Sequence, residues 1–246
     1  MYPTRQREPS LKSPVAGAVF FADDACVHPS QLLAELERQA TTAGAQLFAG
    51  VDATAVRGSN GRAHAVCTSM GDIAAGHVVI AAGAWSAELA RTLGEPVPVE
   101  AAQGSSVTFQ RAEGAPRQAM LLGEDHVAVA RYGDHLRLAG WFRIGNRSTA
   151  VSDKAVDGLK ALAARRLELP PDLIEVNRQA GLRPVTPDGL PLIGTTARWH
   201  NVILATGHGL VGLTMGPGTG RAVAQHILGE QPAFDLDRFN PARFHR

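Results

Sequence analysis

Apolar residues recur along this chain in two rhythms. Leu32, Leu33, Leu36, Ala40 and Ala43 fall at helical spacing. His28-Pro29-Ser30 opens that stretch with proline where a first turn accepts it, and Gly44 supplies a stop. Val15–Phe21, Ala45–Phe48, Val51–Arg57 and Ala63–Thr68 read as short strands. Ser59-Asn60-Gly61 has the chemistry of a hairpin turn between the last two. Val78-Val79-Ile80-Ala81, within His77–Ala82, and Val202-Ile203-Leu204-Ala205 are continuously apolar, as strands buried on both faces are. Gly83-Ala84-Trp85-Ser86 ends the first, with Ser86 positioned to cap a short helix to Leu93. A glycine-rich loop and a helix from about Thr214 to Leu228 follow the second, with Gly229 at its end.

Between these runs the pattern changes. Ser105–Gln110, His126–Arg131 and His135–Trp141 are β-rich and broken by turns such as Gly133-Asp134, which predicts an antiparallel sheet. Ser152 is placed to cap a helix to Leu167, closed by Pro170-Pro171, and Ile174–Leu182 returns as a strand. Thr186-Pro187-Asp188-Gly189 is a turn. Residues 1–14 are polar and proline-rich and read as loose. The expected class is α/β (α+β): two parallel-type strands flanking a mostly antiparallel insert.

Composition excludes more than it selects. With 246 residues, 45% hydrophobic and 19% charged, the chain is long enough for a substantial core. A balance of 24 basic and 23 acidic residues gives no reason to expect nucleic acid or an anionic membrane as partner. Cys26 and Cys67 make neither a disulfide framework nor a metal cluster, and read as small buried thiols in a reducing cytosol. No apolar run approaches the roughly 20 residues of a membrane span. No signal-peptide core follows Met1-Tyr2-Pro3-Thr4-Arg5. No ligand spacing suggests a metal.

Two constellations carry candidate chemistry. Gly207-His208-Gly209-Leu210-Val211-Gly212 fits G-x-G-x-x-G between a strand and a helix. A dinucleotide fingerprint also needs a following strand with an acidic residue for the ribose, and only Pro232-Ala233-Phe234-Asp235 follows the helix. The loop can still bring backbone N–H groups and a helix N-terminus close to a ligand, or serve as a tight packing turn. The second is the run from Gly181 to Gly194. Arg183, beside rigid Pro184, suits a carboxylate held through two parallel hydrogen bonds, although a surface arginine reads the same way alone.

Together these residues resemble a known family. Gly181–Gly194, Asn201–Gly209, Leu213-Thr214-Met215 and Gly218-Thr219-Gly220-Arg221 look like the C-terminal signature of D-amino-acid dehydrogenases, in the D-amino-acid oxidase superfamily with glycine and sarcosine oxidases. His77–Ser86 resembles that superfamily's second flavin-domain strand. Val27–Leu32 resembles the helix start upstream of it, and Arg7-Glu8-Pro9-Ser10-Leu11 its Glu-Pro-x-Leu segment. Departures accompany the likeness. The N-terminal βαβ module that binds the ADP half of FAD is not seen. Gln179 stands where Trp is common, and Trp141-Phe142-Arg143 where small and acidic residues are common.

The resemblance implies an incomplete FAD-binding doubly wound domain interleaved with an antiparallel substrate-binding sheet. It divides the chain into 1–26 (N-terminal segment and first substrate-domain strand), 27–95 and 184–246 (FAD-binding domain), and 96–183 (substrate-binding domain). It implies FAD as cofactor and a D-amino acid as substrate. Arg183 would hold the substrate carboxylate. Gly207, His208, Gly209, Leu210, Gly212 and Thr214 would line the flavin's pyrimidine side, with Ala82, Gly83 and Trp85 near its ring or ribityl chain. A cytoplasmic location follows, with peripheral membrane association by analogy. The alternative is a non-catalytic fragment, or one subunit of a split flavoenzyme completed by an N-terminal FAD-binding polypeptide.

Overall fold

The computed structural model describes residues 4–110 and 114–244. In chain order its elements are α1 (Thr4–Arg7), α2 (Pro29–Thr42), β1 (Ala53–Ser59), β2 (Arg62–Thr68), β3 (Gly71–Ala74), β4 (Val78–Ile80), α3 (Ser86–Thr92), β5 (Glu100–Gln110), β6 (Met120–Leu122), β7 (Val127–Tyr132), β8 (His135–Ile144), α4 (Asp153–Arg166), β9 (Ile174–Val185), β10 (Leu192–Thr195), β11 (Val202–Thr206) and α5 (Gly212–Ile227). Contacts gather them into two compact units. The first contains Met1–Ala43, Gln103–Arg143 and Ser148–Gly181; the second contains Gly44–Ala102, Ile144–Arg147 and Leu182–Arg246.

The first unit is built on a five-stranded sheet in the order β6-β7-β8-β5-β9, in which β7 is antiparallel to both β6 and β8. Alternate residues Val127 and Val129 of β7 and Leu136 and Leu138 of β8 point into a core closed by Val156, Leu159 and Ala163 of α4. α4 begins after Ser152, whose backbone is extended but whose side chain makes no capping hydrogen bond. Trp141, one of the departures from the family pattern, has a left-handed φ of 58° and packs on Gly158 of α4, where a Cβ would lie 2.2 Å from the ring. It is a packing residue of this core.

Residues 4–14 are not loose; Met1 to Pro3 of that segment lie outside the described residues. Glu8 is 4% exposed, and its carboxylate accepts from the backbone N–H groups of Arg117 and Gln118 at 2.7 Å and from the Ser10 hydroxyl. Val15–Phe21 forms no strand, and Val19, Phe20 and Phe21 are exposed. α2 forms where the periodicity puts it, yet none of its residues is buried. Cys26 is exposed and only Cys67 is a buried thiol.

The second unit holds two three-stranded sheets, β1-β2-β3 and β10-β11-β4. Asn60 and Gly61 both take left-handed backbone, which is what a two-residue turn closing β1 onto β2 requires, and Ser59 pairs with Arg62. Ala45–Phe48 is not a strand, whereas β3 and β10 arise from segments with no strong pattern. β11 runs parallel to β4 and antiparallel to β10. Its Val202 and Leu204 join Val78 and Ile80, Ala87 and Ala90 of α3, and Val56 in one core. Ile203 faces the other way, with Ile193 and Val223 of α5. β11 is thus buried on both faces as its composition predicts. β4 is not, since Val79 is 39% exposed.

Buried Asn201 ties the two sheets together. Its Oδ1 accepts from the Ala63 N–H at 2.8 Å, and its Nδ2 donates to the carbonyls of Ala63 and Gly76, each at 2.7 Å.

Candidate active site

Because β4 and β11 are parallel, with Ile80 beside Leu204, both end at the same edge of their sheet. That edge is where ligands bind in parallel α/β sheets, since the connections leaving it expose backbone N–H groups. β4 leaves through Ala82 and a 3-10 turn at Gly83–Trp85 into α3; β11 leaves through Gly207–Val211 into α5. All nine residues expected at a flavin lie on these two exits.

A buried pair of hydroxyls fixes one exit to the other. Ser86 Oγ donates to Thr206 Oγ1 at 2.8 Å, and Thr206 Oγ1 donates to the Gly83 carbonyl at 3.1 Å. Both side chains are shut off from water, so each hydrogen bond replaces one that water would have made. Ser86 therefore links the strand ends rather than capping α3; the residue before the helix is Trp85.

The glycines of the loop divide their work. At Gly207, φ is +78° and a Cβ would meet Thr186 Cγ2 at 2.7 Å, so this glycine is required by packing. At Gly209, φ is +54° and nothing lies within 4 Å of a Cβ position, so this glycine leaves open ground beside the backbone. Gly83 is equally open. The Gly209 N–H donates to the Pro184 carbonyl at 2.8 Å, which holds the loop against the end of β9, next to Arg183. Arg183 is half-buried there. A packing turn and open backbone are thus combined in one segment.

His208 anchors the loop to its helix. Its Nε2 lies 2.9 Å from Thr219 Oγ1, and burial lowers its pKa, which keeps the imidazole neutral near pH 7. No side chain caps α5, which leaves its first-turn N–H groups open to an acceptor. Around them Leu210 is 71% exposed, Trp85 49% exposed, and Thr214 exposed. No strand follows α5 among the described residues, so the local G-x-G-x-x-G is not part of a βαβ unit here.

The arrangement fits a flavin's pyrimidine end: open glycine backbone, an uncapped helix N-terminus that favours negative charge, and an aromatic side chain on the adjoining turn. A recess of about 630 Å³ in the same unit, lined by Thr195, His226, Phe234, Asp235 and Asn240 among others, contains none of these residues. The strand ends are the better candidate, because there the fold unites the groups with chemistry to offer. Nothing in the sequence signalled that Ser86 and Thr206 meet; there Ser86 reads only as a helix cap. Among the described residues no group of three or more His, Cys, Asp or Glu could hold a metal, and no helix is long and apolar enough to cross a membrane.

Known proteins resemble this chain in sequence and fold. A family described as FAD dependent oxidoreductase matches residues 3–226. A D-amino-acid oxidase from Bradyrhizobium diazoefficiens is 35% identical over 98% of this chain and 58% of its own length. A glycine oxidase from Pseudomonas aeruginosa is 32% identical over 95% of this chain and 64% of its own. The crystal structure of glycine oxidase from Geobacillus kaustophilus superposes with a TM-score of 0.86 at 28% identity, over 98% of this chain and 65% of that one. The chain thus spans about three fifths of the length of these relatives. The mixed α/β architecture, the signature runs and the match over most of the sequence lead to one conclusion: this chain belongs to the DAO family of FAD dependent oxidoreductases.

Proposed function

We propose that this chain supplies the flavin-facing and carboxylate-binding parts of an enzyme that oxidises the CH–NH2 group of D-amino acids. The observation that carries this reading is the Ser86–Thr206–Gly83 linkage, which joins the β4 and β11 exits at one sheet edge. The printed names of the relatives, D-amino-acid oxidase, D-amino acid dehydrogenase and glycine oxidase, support the substrate class. FAD held there would supply two-electron oxidation of the substrate's CH–NH2 group, and the imino acid formed would hydrolyse to a keto acid and ammonia.

The chain's own residues bind and orient. Gly207, His208, Gly209, Leu210, Gly212 and Thr214 would hold the pyrimidine end of the flavin, beside an α5 N-terminus that favours negative charge. Ala82, Gly83 and Trp85 pack beside the ring or ribityl chain. Arg183 receives the substrate carboxylate in a two-pronged hydrogen bond, which sets the α-carbon for reaction. Residues 27–95 and 184–246 serve the flavin, 96–183 serve the substrate, and 1–26 lead into the substrate domain. The enzyme works in the cytoplasm or against the inner membrane.

Arg183→Lys tests the carboxylate assignment without removing the charge. Loss of the fork should raise KM for a D-amino acid by about 10- to 100-fold, the worth of a charge-assisted hydrogen bond. Unchanged kcat/KM for that variant would remove Arg183 from the mechanism.

A second reading is that the chain works with a separate polypeptide carrying the remaining flavin-binding module. The exposed Val79 on β4, the outer strand of its sheet, favours it, because an unpaired apolar edge is suited to a further strand. Under that reading FAD binding and turnover appear only when a βαβ module is supplied with the chain.

A further inference from the structure

The turn that follows Arg183 is gripped by a residue far along the chain. In Thr186–Leu190, Pro187, Asp188, Gly189 and Leu190 are all exposed. A surface turn of this kind buries little of its own to fix it. Arg243, on the 3-10 turn Pro241–Phe244, donates to it from Nε to Asp188 Oδ2 at 2.8 Å and from Nη2 to Asp188 Oδ1 at 3.1 Å. Nη2 also donates to the Leu190 carbonyl at 2.7 Å. Two parallel bonds to a carboxylate fix orientation as well as distance. On its own segment the guanidinium is backed by the Asn240 carbonyl, 3.3 Å from Nη1, and by the Phe244 ring, whose centroid is 4.5 Å from Cζ.

The grip reaches the glycine loop through Thr186. The Leu190 carbonyl that accepts from Arg243 also accepts from Thr186 Oγ1, at 2.8 Å. Thr186 is buried, and its other branch, Cγ2, is the atom that a Cβ on Gly207 would meet. Both branches of one stiff β-branched side chain are therefore committed, one to the turn and one to the loop. Two residues before Thr186, the Pro184 carbonyl accepts the Gly209 N–H. Residues 183–190 thus carry Arg183, support the loop at Gly207 and Gly209, and receive Arg243.

Anchoring of its own segment does not account for Arg243. Leu236 and Phe239 pack with Ile193 and Ile203, Phe244 packs with Val202 and Leu204, and Pro241 is buried with its Cδ 3.4 Å from the position of a Gly194 Cβ. Arg243 and Asp188 belong to none of these apolar clusters, and Arg243 lies beyond the residues 3–226 that match the family. We propose that Arg243 is a positioning residue, which acts through Asp188 and Leu190 to hold the 183–190 segment and so sets both the Gly207–Val211 loop and Arg183. That these parts face flavin and substrate rests on the function proposed above; the linkage from Arg243 to the loop does not.

The test compares amide hydrogen exchange, residue by residue by NMR, in the full chain and in its Arg243→Ala variant without FAD. The Gly209 N–H should exchange about tenfold faster in the variant, the effect of losing a charge-assisted hydrogen bond, while the β11 amides keep their rates. Arg243→Lys, which keeps the charge but not the fork, should fall between the two. Should Arg243→Ala not fold, Asp188→Asn should give a smaller acceleration confined to the same loop. An unchanged Gly209 rate overturns the linkage, and so does an acceleration shared equally by β11, which marks a contact for stability alone. Added FAD separates the two claims. The expected result is a saturable spectral change in the unaltered chain and flavin affinity about tenfold weaker in Arg243→Ala. Equal affinity overturns the positioning role. No spectral change in the unaltered chain removes the flavin reading, and the exchange rates still decide the linkage.

Discussion

At the scale of single residues, the site depends on contacts that sequence patterns do not show. Ser86 and Thr206 are 120 positions apart and unremarkable in composition, yet their hydroxyls meet in the interior. Thr206→Val keeps the shape and strands the Ser86 hydroxyl, so it should cost about 1–3 kcal/mol of stability in a urea titration. Gly207 and Gly209 look alike in the motif and should behave differently. Gly207→Ala meets Thr186 as well as an unfavourable φ, whereas Gly209→Ala meets only the φ, at about 1–2 kcal/mol. Gly209→Ala should therefore leave the fold intact while crowding any ligand at the loop, and Gly207→Ala should lower the melting temperature more.

Titration also acts at this scale. Burial depresses the His208 pKa, so the unfolded chain takes up this proton more readily than the folded one. The contribution is present above the usual histidine value and is lost as pH falls through the folded value. Asp188 behaves similarly at lower pH. Arg243 holds it through two hydrogen bonds, at 2.8 and 3.1 Å, with its carboxyl pKa down to about 2. Its contribution is present above the usual aspartate value and is lost toward pH 2. Chemical denaturation from pH 7 to pH 5 should show a decline in stability that His208→Gln reduces. Asp188→Asn should leave that window unchanged and alter only the more acid one.

At the scale of elements, sequence reading succeeded where local pattern and tertiary demand coincide. Val202–Ala205 is apolar on both faces and is packed on both faces. Asn60-Gly61 forces a left-handed turn and forms one. Reading failed where burial is decided by distant partners. Val15–Phe21 has strand composition but gains no neighbouring strand, and Glu8 becomes buried because two backbone N–H groups from residues more than a hundred positions away reach its carboxylate. β3 and β10 formed against weak local pattern because established strands offered them edges. Asn201 belongs here as well, since its side chain, just before β11, holds β2 and the segment leading into β4. Asn201→Ala removes three hydrogen bonds, two of them buried, and should cost about 3 kcal/mol, read as a lower urea midpoint with unchanged slope.

At the scale of the whole molecule, the chain forms two compact units whose segments alternate in sequence, so neither can be read off a contiguous stretch. Family membership was legible because short motifs sit at strand ends where chemistry constrains residue type: Gly83 and Trp85 after β4, Gly207 to Gly212 after β11, Arg183 at the end of β9. What joins the first two of these exits was not legible, since it is made by buried hydroxyls. The central claim is that these exits form one flavin-contact surface. The most direct test is a titration of FAD with the purified 246-residue chain, followed by visible absorption and flavin fluorescence. The account predicts a saturable change in the flavin spectrum that Gly209→Val abolishes while the chain stays folded, and bleaching of the bound flavin by a D-amino acid without oxygen. A spectrum identical to free FAD at saturating protein would contradict it.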